Sequence, residues 1–157
     1  MLILLTLTMS SRADADADLV DKVRKAIDNG VNYLDTAYIY DGSEEVVGKA
    51  LSNGYREKVI LATKMPVALL DRDASMQERY FQEQLERLGT DKIDVYFLHN
   101  LGTRHWDIVK RLDSLDFVTK KKQEGTIKYT AASIHSDFDN FKTVADAYDW
   151  DLMMLQY

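Results

Sequence analysis

SMQERYFQEQLERLGTDKIDVYFLH, residues Ser75 to His99, is the stretch that decides the fold class. Its first half predicts a helix. Ser75-Met76-Gln77-Glu78 is a capping-box pattern, Met76, Tyr80, Leu85 and Leu88 recur at helical spacing, and Gly89 supplies the stop. Its second half, Ile93–His99, predicts a strand whose run Val95-Tyr96-Phe97-Leu98 is apolar on both sides, as expected where both faces of a sheet are covered. A helix passing within a few residues into a doubly buried strand is half of a parallel crossover unit.

The same unit recurs on either side. Strands are predicted at Val31–Thr36, Val59–Lys64, Thr126–Ser133 and Asp151–Tyr157, so that successive starts from residue 31 fall 28, 34, 33 and 25 residues apart. Each interval accommodates a returning helix. In the first, Leu19, Val20, Val23, Ala26 and Ile27 share a face that ends at Asn29-Gly30. In the second, Ser43 is placed to cap, with Glu44 and Glu45 near the positive end of the helix dipole and Asn53-Gly54 as the stop. Phe117 and Val118 turn a further helix toward the sheet before Gly125, and Phe138, Phe141, Val144, Ala145 and Tyr148 keep helical spacing in the last. The only proline, Pro66, follows a strand, where its missing N–H does little harm. The pattern predicts one α/β domain over residues 1–157 with a parallel sheet. It does not separate an open doubly wound sheet from part of a closed barrel.

Composition narrows the function. A net charge of −6 and a pI near 5.0 argue against nucleic-acid binding, and the run Lys120-Lys121-Lys122 reads as a solvated helix face. With no cysteine and only His99, His105 and His135 as imidazoles at unremarkable spacing, no metal site is expected. Leu2-Ile3-Leu4-Leu5-Thr6-Leu7 lacks a basic flank and is far short of the ~20 residues of a membrane span. It is expected to be a first strand, and the chain a cytoplasmic protein without membrane contact.

Three predicted strands end on an ionisable residue: Asp35, Lys64 and His99. Carboxyl ends of parallel strands share one face, where active sites are built, and Tyr40 in the loop beyond Asp35 can reach it. Taken singly, these are a turn aspartate, a solubilising lysine, a rim histidine and a packing tyrosine. Together they suit proton transfer at a carbonyl. Lys64 would lower the phenol pKa of Tyr40, Asp35 would hold Lys64, and His99 would direct a hydrogen bond to the substrate oxygen. None of the four delivers hydride, so a redox cofactor is implied.

The segment Gly30-Val31-Asn32-Tyr33-Leu34-Asp35-Thr36-Ala37-Tyr38-Ile39-Tyr40, continued by Asp41-Gly42-Ser43-Glu44 and Val47-Gly48-Lys49-Ala50-Leu51, resembles the signature of the aldo-keto reductase family. Ala62-Thr63-Lys64 and Asp94-Val95-Tyr96-Phe97-Leu98-His99 resemble the family's other two active-site strands. The resemblance implies a TIM-type parallel (β/α) barrel, here truncated after about six of eight strands, and NADP(H)-dependent reduction of an aldehyde or ketone. It assigns Tyr40 as proton donor, Lys64 as its activator, Asp35 as the support of Lys64 and His99 as the group orienting the carbonyl. Trp106, Gln123-Glu124-Gly125-Thr126-Ile127, Ser133-Ile134-His135 and Tyr148-Asp149-Trp150-Asp151 look most like members that carry an iron–sulfur ferredoxin-like extension, for whose cluster these 157 cysteine-free residues offer no ligand.

Departures from the family pattern bear on the cofactor. Ser133 and Gln156 match positions that hold the nicotinamide amide, but Ile134 stands where an Asn is usual, and Ala131-Ala132 replace glycine before the serine. A full barrel of this type takes roughly 250 residues, and the loops that grip the cofactor's phosphates are not among these 157. Two readings follow: a reductase that holds only the nicotinamide end of NADP(H), or an inactive barrel fragment acting as an assembly module. Either way, exposed sheet edges predict homo-oligomers.

Overall fold

The computed structural model describes residues 4–6, 13–70 and 73–155. Six parallel strands, β1 (Leu4–Thr6), β2 (Tyr33–Asp35), β3 (Ile60–Met65), β4 (Ile93–Leu98), β5 (Ile127–Ile134) and β6 (Leu152–Leu155), pair strictly in chain order. Between them run α1 (Ala13–Asp28), α2 (Ser43–Leu51), α3 (Ser75–Leu88), α4 (Thr103–Arg111), α5 (Ser114–Gln123) and α6 (Phe138–Asp146). The β6 expectation for Gln156 and Tyr157 lies outside the described residues.

Strand order settles what periodicity left open. A doubly wound sheet reverses its order at a switch point, which sends helices to both faces. Here there is no reversal, and the two faces of the sheet differ in kind. One buries Leu34, Leu61, Met65, Tyr96, Leu98 and Ile134 against helix residues such as Val23, Val47, Phe81, Val109 and Val118. The other packs strand residues alone, with Tyr33, Ala62, Val95, Phe97 and Ala131 joined by Leu152 and Met154. A sheet with helices outside and its own side chains inside is the wall of a (β/α) barrel, here seen over six strands.

Local signals explain most element ends. Gly89 closes α3 in the left-handed region (φ 60°), its N–H reaching the carbonyls of Leu85 and Glu86. Gly30 and Gly125 likewise follow α1 and α5 at φ 100° and 77°. Asp137 caps α6 by accepting from the Asn140 N–H at 2.9 Å.

Several expectations are corrected. Ser43 does not cap α2, because its hydroxyl is buried against Thr36 Oγ1 at 2.7 Å. Nor is Ser75 the cap of α3: Asp73 accepts from both the Ser75 N–H (2.9 Å) and hydroxyl (2.6 Å), while Glu78 pairs with Gln82 and Lys121. The buried stripe of α3 is Gln77, Tyr80, Phe81, Gln84 and Leu88, displaced from the expected one by two buried glutamines. Lys121 is no solvated charge. It is only 6% exposed, bonds Glu78 and Glu124, and lies over the rings of Phe81 and Phe117. Phe138, which shares helical spacing with Phe141 and Val144, is nonetheless 73% exposed. The helix α4 was not anticipated.

Candidate active site

Side chains alternate across a strand, so Ala62 and Lys64, Phe97 and the strand-end His99, and Ala131 and Ser133 point to the same side of the sheet. Since the first of each pair lies in the interior cluster, the residues at the carboxyl ends complete that interior with polar groups. The residues singled out at the strand ends meet there. Lys64, 2% exposed, donates from Nζ to Asp35 Oδ2 (2.7 Å), Asp35 Oδ1 (2.8 Å) and the Thr36 carbonyl (2.8 Å). Its ammonium also stands over Phe97 and over Tyr40, 5.1 Å from the Tyr40 ring centre. The His99 ring meets the Tyr40 ring edge-on at 5.9 Å.

The Tyr40 loop is tied at its base. Tyr40 N–H donates to the Ala37 carbonyl and Ser43 N–H to the Tyr40 carbonyl, both at 3.0 Å, while the Thr36–Ser43 hydroxyl pair closes the loop across its neck. The half-buried phenol is thereby carried over the barrel mouth.

Electrostatics revise one expectation. Lys64 was to lower the Tyr40 phenol pKa, but burial, helped by the negative charge of Asp35, pushes it up. The three donors of Lys64 are spent on Asp35 and Thr36, so its charge is largely answered before it reaches the phenol. Burial also draws Lys64 below the usual lysine range, against the support of Asp35. His99 is pushed down to about 4, chiefly by burial and then by the Lys64 charge, so its imidazole is neutral at neutral pH.

Ser133 is buried beside this group. Its Oγ accepts from the Asn100 N–H at 2.8 Å, which helps hold Asn100 in the left-handed region (φ 56°) and leaves the hydroxyl proton to a further acceptor. Gln156, its expected companion, lies outside the described residues. Among the described residues no cluster of metal-ligating side chains occurs, and no helix is long and apolar enough to cross a membrane.

Behind Lys64, on the helix side of β3, a second buried polar group was not foreseen. Glu44, 1% exposed, accepts from Thr63 Oγ1 (2.6 Å) and Gln84 Nε2 (2.8 Å) and is approached by Arg87. Gln84 also donates to the Lys64 carbonyl and accepts from the Tyr96 hydroxyl. Burial raises the Glu44 pKa despite these donors.

Comparison with known proteins shows the family and the fold. The model of the aldo/keto reductase family matches residues 5–157. An uncharacterized oxidoreductase, YqkF, of Bacillus subtilis is 39% identical over 119 residues, covering 69% of this chain and 37% of that protein. An aldo-keto reductase of Mycobacterium sp. is 33% identical, covering 73% of this chain and 39% of its own length. The chain thus spans well under two thirds of these relatives. Among solved structures, an aldo-keto reductase from Klebsiella pneumoniae in complex with NADPH superposes with a TM-score of 0.72 at 30% identity, covering 94% of this chain and 50% of that one. The holo form of one from Bacillus halodurans gives 0.75 at 28% identity, over 100% and 53%.

Proposed function

Because the chain belongs to the aldo-keto reductase family, we propose that it carries the proton-transfer site of an NADP(H)-dependent oxidoreductase that reduces an aldehyde or ketone to an alcohol. One observation supports this above the others: Asp35, Lys64, His99 and Tyr40, from three strand ends and one tied loop, converge on a single polar layer.

A bound NADPH would supply hydride to the carbonyl carbon. The residues fit its nicotinamide end, since the buried Ser133 hydroxyl retains a proton for an amide oxygen, and Gln156 is proposed to bond the same amide. Tyr40 donates its proton to the carbonyl oxygen. With its pKa raised, the phenol is fully protonated at neutral pH, and the oxygen it meets becomes a far stronger base as the alkoxide forms. Lys64 then acts late rather than early: its charge stabilises the phenolate left on Tyr40, and Asp35 fixes it in place. The neutral imidazole of His99 offers one N–H to the same substrate oxygen.

Tyr40→Phe tests the assignment in the intact chain, with NADPH and 4-nitrobenzaldehyde as the probe pair. Turnover falls by at least about a hundredfold, since general acids contribute that much, while NADPH affinity stays within about twofold. Equal turnover in the two proteins removes Tyr40 from the role.

A further inference from the structure

We propose that Glu44, through Thr63 and Gln84, is a positioning residue for the reaction: the network clamps the start of α2, and with it the Tyr40 loop, to the strand that carries Lys64. The inference deepens the function proposed above and rests on it for its kinetic arm only.

Glu44 is joined to the Tyr40 loop by one peptide bond at Ser43, whose N–H bonds the Tyr40 carbonyl and whose hydroxyl bonds Thr36. Any shift of Glu44 therefore moves the base on which Tyr40 stands. On its far side Glu44 is held by Thr63, the residue preceding Lys64, at 2.6 Å, and by Gln84 at 2.8 Å. The Gln84 amide nitrogen also meets Thr63 Oγ1 at 3.0 Å and the Lys64 carbonyl at 3.2 Å, and its oxygen takes the Tyr96 hydroxyl at 2.7 Å. One carboxamide thus ties α2, β3 and β4 together from α3.

The composition of this group argues for geometry over stability. Glu44, Thr63, Gln84 and Tyr96 are all at most 1% exposed, on the helix side of the sheet, where the main hydrophobic core lies. Burying a carboxylate and a carboxamide is unfavourable unless each hydrogen bond is made, and apolar residues would fill the same space with less risk. What a satisfied polar network provides in addition is a single allowed arrangement. Here that arrangement fixes the Tyr40 loop against Lys64 and His99.

Two variants test it, Glu44→Gln, which removes the charge, and Gln84→Met, which keeps approximate volume and removes the bridge. The first readout needs no turnover: the NMR cross-relaxation between the Tyr40 and His99 rings, present in the parent chain, weakens severalfold in both variants. The second uses NADPH and 4-nitrobenzaldehyde: kcat falls about tenfold to hundredfold, as for a small misplacement of a reacting group, with KM within about twofold. A purely structural network lowers the melting temperature and moves neither readout. That result overturns the proposal, as does collapse of both variants to unfolded chains. If the parent shows no turnover, the proposed function fails while the ring contact still decides this inference.

Discussion

Replacing Gly48 by alanine should destabilise the protein even though alanine is the better helix former. Gly48 lies within α2, where Gly→Ala ordinarily gains about 1 kcal/mol. A Cβ there would stand 2.2 Å from the Arg87 carbonyl oxygen and 2.9 Å from the Leu88 carbonyl carbon, atoms of the α3 backbone that no rotamer change can withdraw. Restoring van der Waals distance requires the two helices to part by about 1 Å. Overpacking of this kind costs about 1–3 kcal/mol, and backbone against backbone belongs at the upper end, so a net loss of about 1–2 kcal/mol remains. In a chain of this size that lowers Tm by roughly 2–8 °C. The effect should reach the site too, because Glu44 is one turn before Gly48 and Gln84 one turn before Leu88, and separating the helices lengthens the Glu44–Gln84 bond. Thermal unfolding followed by circular dichroism, with Ser52→Ala as a surface control, measures it. A Gly48→Ala protein as stable as the parent, or more so, would refute the reasoning.

Three further outcomes follow from the same coordinates. His99 has its folded pKa depressed to about 4 from 6.5, so between these values the unfolded chain binds the extra proton, and stability falls as pH drops from about 6.5 to about 4. Urea titrations at pH 7 and pH 5 should show a smaller loss in His99→Gln, and an identical loss in both proteins counts against a buried neutral imidazole. Lys121→Ala should destabilise by about 1–3 kcal/mol, whereas Lys120→Ala, at a position whose side chain is 72% exposed, stays within about 0.5 kcal/mol; equal effects would mean that the burial of Lys121 is immaterial. In the described sheet β6 pairs only with β5, and Leu155 is 50% exposed, so the 157-residue chain should self-associate and Leu155→Lys should reduce this in light scattering. A monomeric parent would contradict the edge argument.

The parts legible in the sequence are those set by local pattern. Strand bounds and observed bounds differ by no more than two residues where described, because a doubly buried strand announces itself as an apolar run. Asp35, Lys64 and His99 were visible because parallel strands present their carboxyl ends together, and Tyr40 because the loop is short. What stayed hidden depends on tertiary contact. A glutamate in the first turn of a helix looks like a partner of the dipole, and nothing local tells that Thr63 and Gln84 will bury Glu44. Lys121 looks solvated until Glu78 of another helix is placed beside it. Likewise α4 was obscured, because Trp106, Ile108 and Val109 sit among Arg104, His105, Asp107, Lys110 and Arg111. The phenol pKa was misjudged because pairwise logic set Lys64 beside Tyr40 and left out the burial of the phenol and the nearby charge of Asp35.

Adjacent residues of β3 serve opposite compartments: Thr63 bonds Glu44 on the helix side, and Lys64 bonds Asp35 inside the barrel. Apolar strands buried on both faces carry little information about which residue should point which way, since Leu61, Ala62 and Met65 would be at home on either side. A slip of one residue would drive the ammonium among the helices, take from Asp35 its donor and turn the Thr63 hydroxyl away from Glu44. The polar pair at the end of β3 would thus act as a frame marker, penalising any slip of the strand by an odd number of residues.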